Sequence, residues 1–112
     1  MRIIDEQTAA IESETQRVLE AICRKLGGHR FHIGTRQFED VGKVYERRGG
    51  PFAKKFLQTR IRDSRRDEAT DFQRLGDVLD LLQESSLDIH AKAFIVRKLR
   101  LILEHGEGRQ RR

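Results

Sequence analysis

Residues 87–105 read LDIHAKAFIVRKLRLILEH and form the most apolar stretch of the chain. Hydrophobic residues recur there at helical spacing around more than half of the circumference, so we expect one helix with neighbours on two sides. They are Ile89, Ala93, Phe94, Ile95, Val96, Leu99, Leu101, Ile102 and Leu103. Gly106 predicts the end of this helix, and residues 106–112 are expected to form a flexible basic tail.

The opposite end of the chain has a second apolar stripe, whose members recur three and four positions apart. They are Ile4, Ile11, Val18, Leu19, Ile22 and Leu26. This spacing predicts a helix over about residues 6–26, and Gly27 and Gly28 are typical of its C-terminus. Residues 29–34 are predicted to be a loop that places Phe31 in the core.

Three further helices are predicted between residues 35 and 84. Thr35 is expected to cap a short helix that ends at Gly49, and Pro51 suits the first position of the next, where a missing N–H costs nothing. That helix is expected to end near Arg62 or to continue to Arg66, and another covers about residues 68–84. The sequence therefore predicts an all-α bundle of about five helices joined by short turns, with residues 1–105 as a single domain.

Length and composition exclude several classes of protein. The chain has 112 residues, enough for one domain, and no apolar run approaches the roughly 18 residues that cross a membrane. A single cysteine, Cys23, excludes an intramolecular disulfide framework and a cysteine-rich zinc site. The N-terminus lacks the apolar core of a signal peptide. We therefore expect a cytoplasmic protein that makes no membrane contact.

The formal net charge of +5 conceals a strong segregation of charge along the chain. Residues 27–66 carry eleven basic and four acidic side chains, whereas residues 67–90 carry one basic and seven acidic side chains. Residues 91–112 carry seven basic and two acidic side chains. Two interpretations follow: the acidic segment covers the basic one inside the bundle, or a basic surface remains exposed and binds a polyanion.

Positive charge is concentrated on one face of the helix that begins at Pro51. With about 100° between successive residues, its cations fall within one third of the circumference, and no acidic residue lies among them. We call this set the basic stripe: Lys54, Lys55, Arg62, Arg65 and Arg66. The candidate extensions of the stripe are Arg47, Arg48, Arg97, Lys98 and Arg100. Such a pattern favours contact with the phosphate backbone of nucleic acid.

The residues around the basic stripe give two further expectations. Phenylalanines mostly fall on apolar faces, so we expect backbone contact rather than the stacking of bases on exposed aromatic rings. Arg60 lies among the apolar residues of the same helix, where a charge needs a partner. We expect it to pair with a carboxylate of another helix, and Asp71 is the first candidate.

Arg100 and His105 form an Arg-x4-His spacing in the last predicted helix. This spacing resembles the Arg-x4–6-His signature of HEPN ribonucleases, whose paired residues cleave RNA in dimers. The resemblance covers six of the 112 residues, and Leu101 stands where the family has a polar residue. It implies RNA cleavage by this pair. The alternative is that a protonated His105 interacts favourably with the C-terminus of its helix.

The histidines and the cysteine do not form a persuasive metal site. Cys23, His29 and His32 straddle a Gly-Gly turn and lack a fourth ligand. We expect both histidines to be exposed loop residues and Cys23 to be a small core residue. The sequence therefore predicts no metal, no cofactor and no catalytic residue.

The first helix offers a second kind of interface. Its apolar positions approach a period of about 3.5 residues, which is typical of a helix that pairs with another helix. It is therefore a candidate seam for a homodimer. The alternative is that the same stripe packs within its own bundle.

Together these observations predict a non-catalytic accessory or regulatory protein that contacts the backbone of DNA or RNA. In architecture alone it is similar to the small helical subunits that line nucleic acid in multi-subunit CRISPR effectors. One alternative is an adaptor or inhibitor, such as one from a mobile element, that docks on an acidic protein surface. The lesser alternative is a HEPN-like ribonuclease.

Overall fold

Six α-helices make up the computed structural model of this protein, which describes the backbone of residues 2–110 and the side chains of residues 8–104. They are α1 (Arg2–Leu26), α2 (Thr35–Arg48), α3 (Gly50–Asp63), α4 (Arg66–Glu84), α5 (Ile89–Arg97) and α6 (Leu99–Gln110). No strand occurs within residues 2–110. The predicted all-α bundle is confirmed, and α1 begins four residues earlier than expected.

The apolar stretch that was expected to form one helix forms two. Helix α5 ends at Arg97, and Lys98 separates it from α6 with φ −105° and ψ 11°. The chain continues to wind through the junction, because the Lys98 N–H donates to the Phe94 carbonyl and the Ile102 N–H donates to the Lys98 carbonyl, each at 3.0 Å. The apolar pattern continues across Lys98, so periodicity alone does not reveal the break.

The C-terminal segment differs from the prediction at Gly106, because α6 continues past it to Gln110. The predicted basic tail, residues 106–112, falls outside the residues whose side chains are described. For residues 111 and 112 the backbone also lies outside the described range.

Helix ends follow the prediction more closely than helix caps do. Gly34, rather than Thr35, is the N-cap of α2, and it makes no side-chain capping bond. Between α2 and α3, Gly49 has φ 86° and donates its N–H to the Tyr45 carbonyl at 2.8 Å. Pro51 lies in the first turn of α3, as its missing N–H favours. Because Gly49 tolerates this left-handed backbone, the chain turns directly from α2 into α3.

The core lies where α2, α3, α4 and α5 pack together, and the C-terminal half of α1 covers α4. Its largest fully buried side chains include Tyr45, Phe38, Phe72, Leu75, Leu79 and Leu99. Helix α5 packs on α2 and touches α4, as expected for a central element. Its apolar surface is nevertheless incompletely covered, because Phe94 is 57% exposed.

Helix α1 packs through its last turns, where Val18, Ile22 and Leu26 are buried. Ile11 belongs to the same stripe but is 59% exposed, so the stripe extends beyond the contact with α4. The side chain of Ile4 lies outside the described residues. The packed part of the stripe confirms its use within the bundle, and the homodimer through α1 remains a prediction.

Glu14 ties α1 to the turn between α4 and α5. Its Oε2 accepts hydrogen bonds from the Ser86 N–H at 2.8 Å and from the Ser86 hydroxyl at 3.1 Å. The Arg17 guanidinium donates to both carboxylate oxygens at 2.7 and 2.9 Å. The bonds from Arg17, followed by those from Ser86, lower the pKa of Glu14 to about 2. The ionised form of this carboxylate therefore holds the contact.

A buried carboxylate on α4 organises the loop between α1 and α2. Asp71 is fully buried and accepts hydrogen bonds from the backbone N–H groups of His32 and Ile33. The His29 Nε2 atom lies 2.8 Å from its Oδ1. These bonds satisfy two loop N–H groups and bring Ile33 into the core, where it is 2% exposed.

This arrangement corrects the expectation for His29. Its side chain is only 18% exposed and its ring meets Phe31 edge-on, with the ring centroids 4.8 Å apart. The neighbouring His32 side chain is exposed, as expected. Phe31 in turn packs edge-on against Phe38 with a centroid distance of 5.1 Å, so the loop does place Phe31 against the core.

We predict that Asp71→Asn lowers the free energy of unfolding by about 2 kcal/mol, because the amide has one acceptor oxygen where the carboxylate has two, and its NH2 group cannot accept from the loop. Urea denaturation measures this change. The control is Asp80→Asn, whose carboxylate is exposed and whose loss is expected to cost less than about 1 kcal/mol. Equal effects of the two substitutions would contradict the role assigned to Asp71.

The Glu14 contact predicts a specific pH dependence. Its pKa is lowered on folding, so its stabilising effect is present above the unfolded value near 4.5 and is lost as the pH falls towards about 2. Glu14→Gln is therefore expected to destabilise the protein at about pH 7, and the difference from wild type should shrink at about pH 2.5. Urea titrations at both values test this, with Glu12→Gln on the same helix as the control. A difference independent of pH would contradict it.

Candidate nucleic-acid interface

The outer face of α3 is polar and partly aromatic. The helix buries Ala53 and Leu57 towards its neighbours. On the opposite side it exposes Phe52, Lys55, Gln58, Thr59 and Arg62. The last four of these line an open hollow of about 360 Å³. Because these positions are spaced three and four apart, they form one continuous surface along the helix.

Exposed arginines extend this surface at both ends of α3. Arg47 and Arg48 lie in the last turn of α2. Arg65 and Arg66 lie where α4 begins, and the prediction that they continue the helical face of α3 is wrong, because α3 ends at Asp63 and Ser64 and Arg65 are extended. We call the set the open basic surface: Arg47, Arg48, Lys55, Arg62, Arg65 and Arg66. All six side chains are exposed. Positive charge thus borders α3 from the end of α2 to the start of α4.

The open basic surface is poor in compensating carboxylates. Among the described residues, none of its members except Arg62 has a carboxylate oxygen within 4.0 Å. The Arg62 Nε lies 4.0 Å from Asp63 Oδ1, and both side chains are at least 70% exposed. An ion pair at that distance in solvent contributes little. The surface therefore keeps nearly all of its positive charge.

Lys54, at one edge of the basic stripe, turns inward instead. Its Nζ lies 3.0 Å from Asp80 Oδ1 and 3.4 Å from the Gly76 carbonyl of α4. The side chain is only partly exposed. Lys54 Nζ lies 3.5 Å from where a Cβ would stand on Gly76, an ordinary contact, so the lysine crosses α4 without crowding. Lys54 therefore belongs to the contact between α3 and α4 rather than to the open basic surface.

The second predicted basic region is also engaged in pairs. Arg97 Nη2 and Lys98 Nζ lie 3.9 and 3.5 Å from the carboxylate of Glu39 on α2. Arg100 Nε lies 3.6 Å from Glu104 Oε1, one turn along α6. All three predicted residues thus have a carboxylate within 4.0 Å. This region is less available to a polyanion than the open basic surface.

Arg97 is held by shape as well as by charge. Its aliphatic stem lies directly over Gly42 of α2, where any added Cβ would meet the Arg97 Cγ. Its Nε is buried and has no hydrogen-bond partner among the described residues. The side chain therefore serves as packing between α2 and α5.

The acidic segment is used mostly for structure. Asp71 holds the loop before α2, Asp77 pairs with Arg74 of its own helix at 3.7 Å, and Asp88 caps α5 by accepting from the Ala91 N–H at 2.8 Å. Within the described side chains, its one ion pair with α3 is that between Asp80 and Lys54. The acidic segment thus leaves the open basic surface uncovered.

The predicted pair between Arg60 and Asp71 is wrong. Asp71 is already occupied by the loop, whereas the Arg60 guanidinium lies 5.0 Å from the centroid of the Phe56 ring. Arg60 remains partly exposed at that position. An arginine among apolar residues is therefore accommodated by stacking on a ring instead of by a carboxylate.

Sequence reasoning missed the exposed aromatic ring at this surface. Phe52 is 47% exposed, and the Arg48 guanidinium lies 5.1 Å from its ring centroid. Its spacing of four residues from Phe56 predicts a position on the apolar side of α3. Phe52 also lies three residues before Lys55, next to the basic stripe, and this spacing could have predicted a ring at the edge of the charged surface.

The described residues do not support a metal site or a reactive Cys23 thiol, and they do not test the HEPN-like pair. Within residues 8–104, no three His, Cys, Asp or Glu side chains come together as a possible metal site. Burial raises the pKa of the Cys23 thiol, which disfavours the reactive thiolate. The side chain of His105, the partner of Arg100 in the HEPN-like spacing, lies outside the described residues. None of the described helices has both the length and the apolar character needed to span a bilayer.

Comparison with known proteins gives no relative on which to base a function. No family model, curated protein or solved structure matches the chain.

The glycine contacts of Arg97 and Lys54 lead to a paired prediction. Gly42→Ala places a Cβ against Arg97 and 3.1 Å from the Ala93 carbonyl, so we expect the crowding to destabilise the protein by about 1–3 kcal/mol. At Gly76 the nearest atom is Lys54 Nζ at 3.5 Å, an ordinary contact. Gly76→Ala should therefore be neutral or stabilising, by up to about 1 kcal/mol of helix propensity.

Thermal or urea denaturation of the two alanine variants measures the difference. Both substitutions remove a helical glycine, so the intrinsic helix preference is matched between them. A destabilised Gly76→Ala or a stabilised Gly42→Ala would contradict the packing described for these two cations.

Proposed function

We propose that the protein is a non-catalytic, cytoplasmic accessory or regulatory protein that binds the phosphate backbone of nucleic acid through the open basic surface. The observation that carries the proposal is the exposure of six cations between residues 47 and 66, five of which have no carboxylate within 4.0 Å among the described residues. No catalytic role is assigned to any residue.

Folding brings these cations together at a cost that a polyanion would offset. Neighbouring like charges on a helix destabilise it by about 0.2–0.5 kcal/mol for each pair. Three carboxylates of α4 are engaged elsewhere: Asp80 contacts Lys54, Asp77 contacts Arg74, and Asp71 holds the loop before α2. Phosphates bound at the open basic surface would compensate the charge and release counterions.

The character of the surface favours contact with phosphates over the reading of base sequence. Its cations lie along α3 and at its two ends, and the exposed Gln58 adds a side-chain amide whose N–H groups donate hydrogen bonds to phosphate oxygens. Such contacts position a nucleic acid and carry no direct sequence information. The proposed affinity is therefore independent of sequence and strongly dependent on salt.

The triple variant Lys55→Glu, Arg62→Glu, Arg65→Glu tests the proposal. All three side chains are exposed, so helicity measured by circular dichroism should not change. Binding to a 20-nucleotide single strand and to a 20-base-pair duplex, followed by fluorescence anisotropy at about 50 mM salt, should be lost. Single substitutions should each lower the slope of log affinity against log salt by about one unit.

A charge-matched control separates this surface from the general positive charge of the protein. Arg24, Lys25 and Arg36 are exposed cations on α1 and at the start of α2, and none has a carboxylate partner among the described residues. Their triple replacement by glutamate changes the net charge equally and should weaken binding far less. Equal losses in both triple variants would refute the site. If wild type binds neither strand nor duplex, the nucleic-acid proposal fails and the acidic protein surface becomes the better partner.

A further inference from the structure

Phe52 is an exposed aromatic ring in the middle of positive charge. Four large hydrophobic side chains are exposed among the described residues: Ile11, Phe52, Phe94 and Leu101. Phe52 is the one that adjoins the open basic surface, three residues before Lys55. The guanidinium of Arg48 lies over its ring, 5.1 Å from the centroid. Neither Lys55 nor Arg48 has a carboxylate within 4.0 Å among the described residues.

We propose, resting on the function proposed above, that the preferred ligand is a single strand and that one of its unpaired bases stacks on Phe52. In this arrangement Arg48 holds the ring from one side and offers its charge to a neighbouring phosphate. The cations along α3 contact the phosphates that follow. Phe52 thus selects the class of nucleic acid, and the open basic surface supplies the sequence-independent affinity.

The choice of a single strand follows from what an aromatic side chain can reach. In a duplex the flat faces of the bases are covered by their neighbours in the stack, so a surface ring meets phosphate and sugar. In a single strand the faces are accessible, and every base has one, which makes stacking tolerant of sequence. A ring beside unpaired cations is the combination that such proteins use.

The spacing along α3 fits a strand that follows the helix. Lys55 lies three residues and Arg62 ten residues beyond Phe52, which places them about 5 and 15 Å along the helix axis. The hollow lined by Lys55, Gln58, Thr59 and Arg62 occupies the intervening length. A strand anchored by one base at Phe52 would therefore cover a few nucleotides, the scale of known single-strand sites.

Three probes of equal length test the proposal on the full chain: a 20-nucleotide oligothymidylate, an abasic strand with the same number of phosphates, and a 20-base-pair duplex. Wild type is expected to bind oligothymidylate about tenfold more tightly than the abasic strand. Phe52→Ser should remove that preference while leaving affinity for the duplex and the abasic strand unchanged. Phe52→Trp should retain it, because the larger ring also stacks.

Phe94→Ser is the matched control, since Phe94 is at least as exposed but lies on α5 beside Arg97 and Lys98, which are engaged with Glu39. This variant should bind all three probes as wild type does. Circular dichroism verifies that each variant is folded.

The outcomes distinguish this inference from the function on which it rests. If wild type binds the three probes equally, or if Phe52→Ser keeps the preference for oligothymidylate, the stacking proposal is overturned while backbone binding stands. The same conclusion follows if Phe94→Ser abolishes the preference as fully as Phe52→Ser does. If wild type binds none of the probes, backbone binding and stacking fail together.

Discussion

The buried carboxylate of Asp71 is the contact on which the arrangement of the helices depends. The chain leaves α1 at Gly27 and crosses α4 before α2 begins, and the N–H groups of His32 and Ile33 find their partner in Asp71. Without that acceptor, the buried Ile33 N–H and the partly buried His32 N–H would both lose their partner, and a buried unpaired donor costs about 1–3 kcal/mol. The loop therefore sets where α2 starts, and through the Gly49 turn it also sets the direction of α3 and its cations.

Many carboxylates of this fold stabilise contacts between its elements, whereas most cations around α3 are exposed. The acidic side chains of α1, α2 and α4 secure loops and helix contacts, as Glu14, Glu39 and Asp80 do. The cations of α3 and its flanking turns are mostly left in solvent. The small net charge therefore hides a difference in location: many carboxylates hold helices and loops together, whereas the cations around α3 are exposed to solvent. The net charge of the chain does not show which cations are exposed and unpaired. The contact partners of each carboxylate do show it.

Periodicity was sufficient to predict most of the helices, because their apolar stripes bury one face and their ends fall at Gly27, Gly49 and Ser85. It was insufficient for the basic surface, because contacts with neighbouring helices determine which cations stay exposed. Lys54 lies at the edge of the basic stripe, and its ion pair with Asp80 directs it towards α4. His29 was expected in solvent because no short-range pattern connects it to Asp71, 42 residues away. The break between α5 and α6 at Lys98 could not be predicted either, because the apolar spacing continues across it.

Two arginines in this region lie over aromatic rings and keep their positive charge. An arginine near apolar residues is commonly neutralised by a carboxylate, which would remove its attraction for phosphate. Here Arg48 lies over Phe52 and Arg60 lies over Phe56, so both guanidinium groups cover apolar surface without losing their charge. A ring restricts the position of the guanidinium while its N–H groups remain free to donate. Phe52 and Phe56 thus hold two guanidinium groups at the surface of α3 without neutralising them.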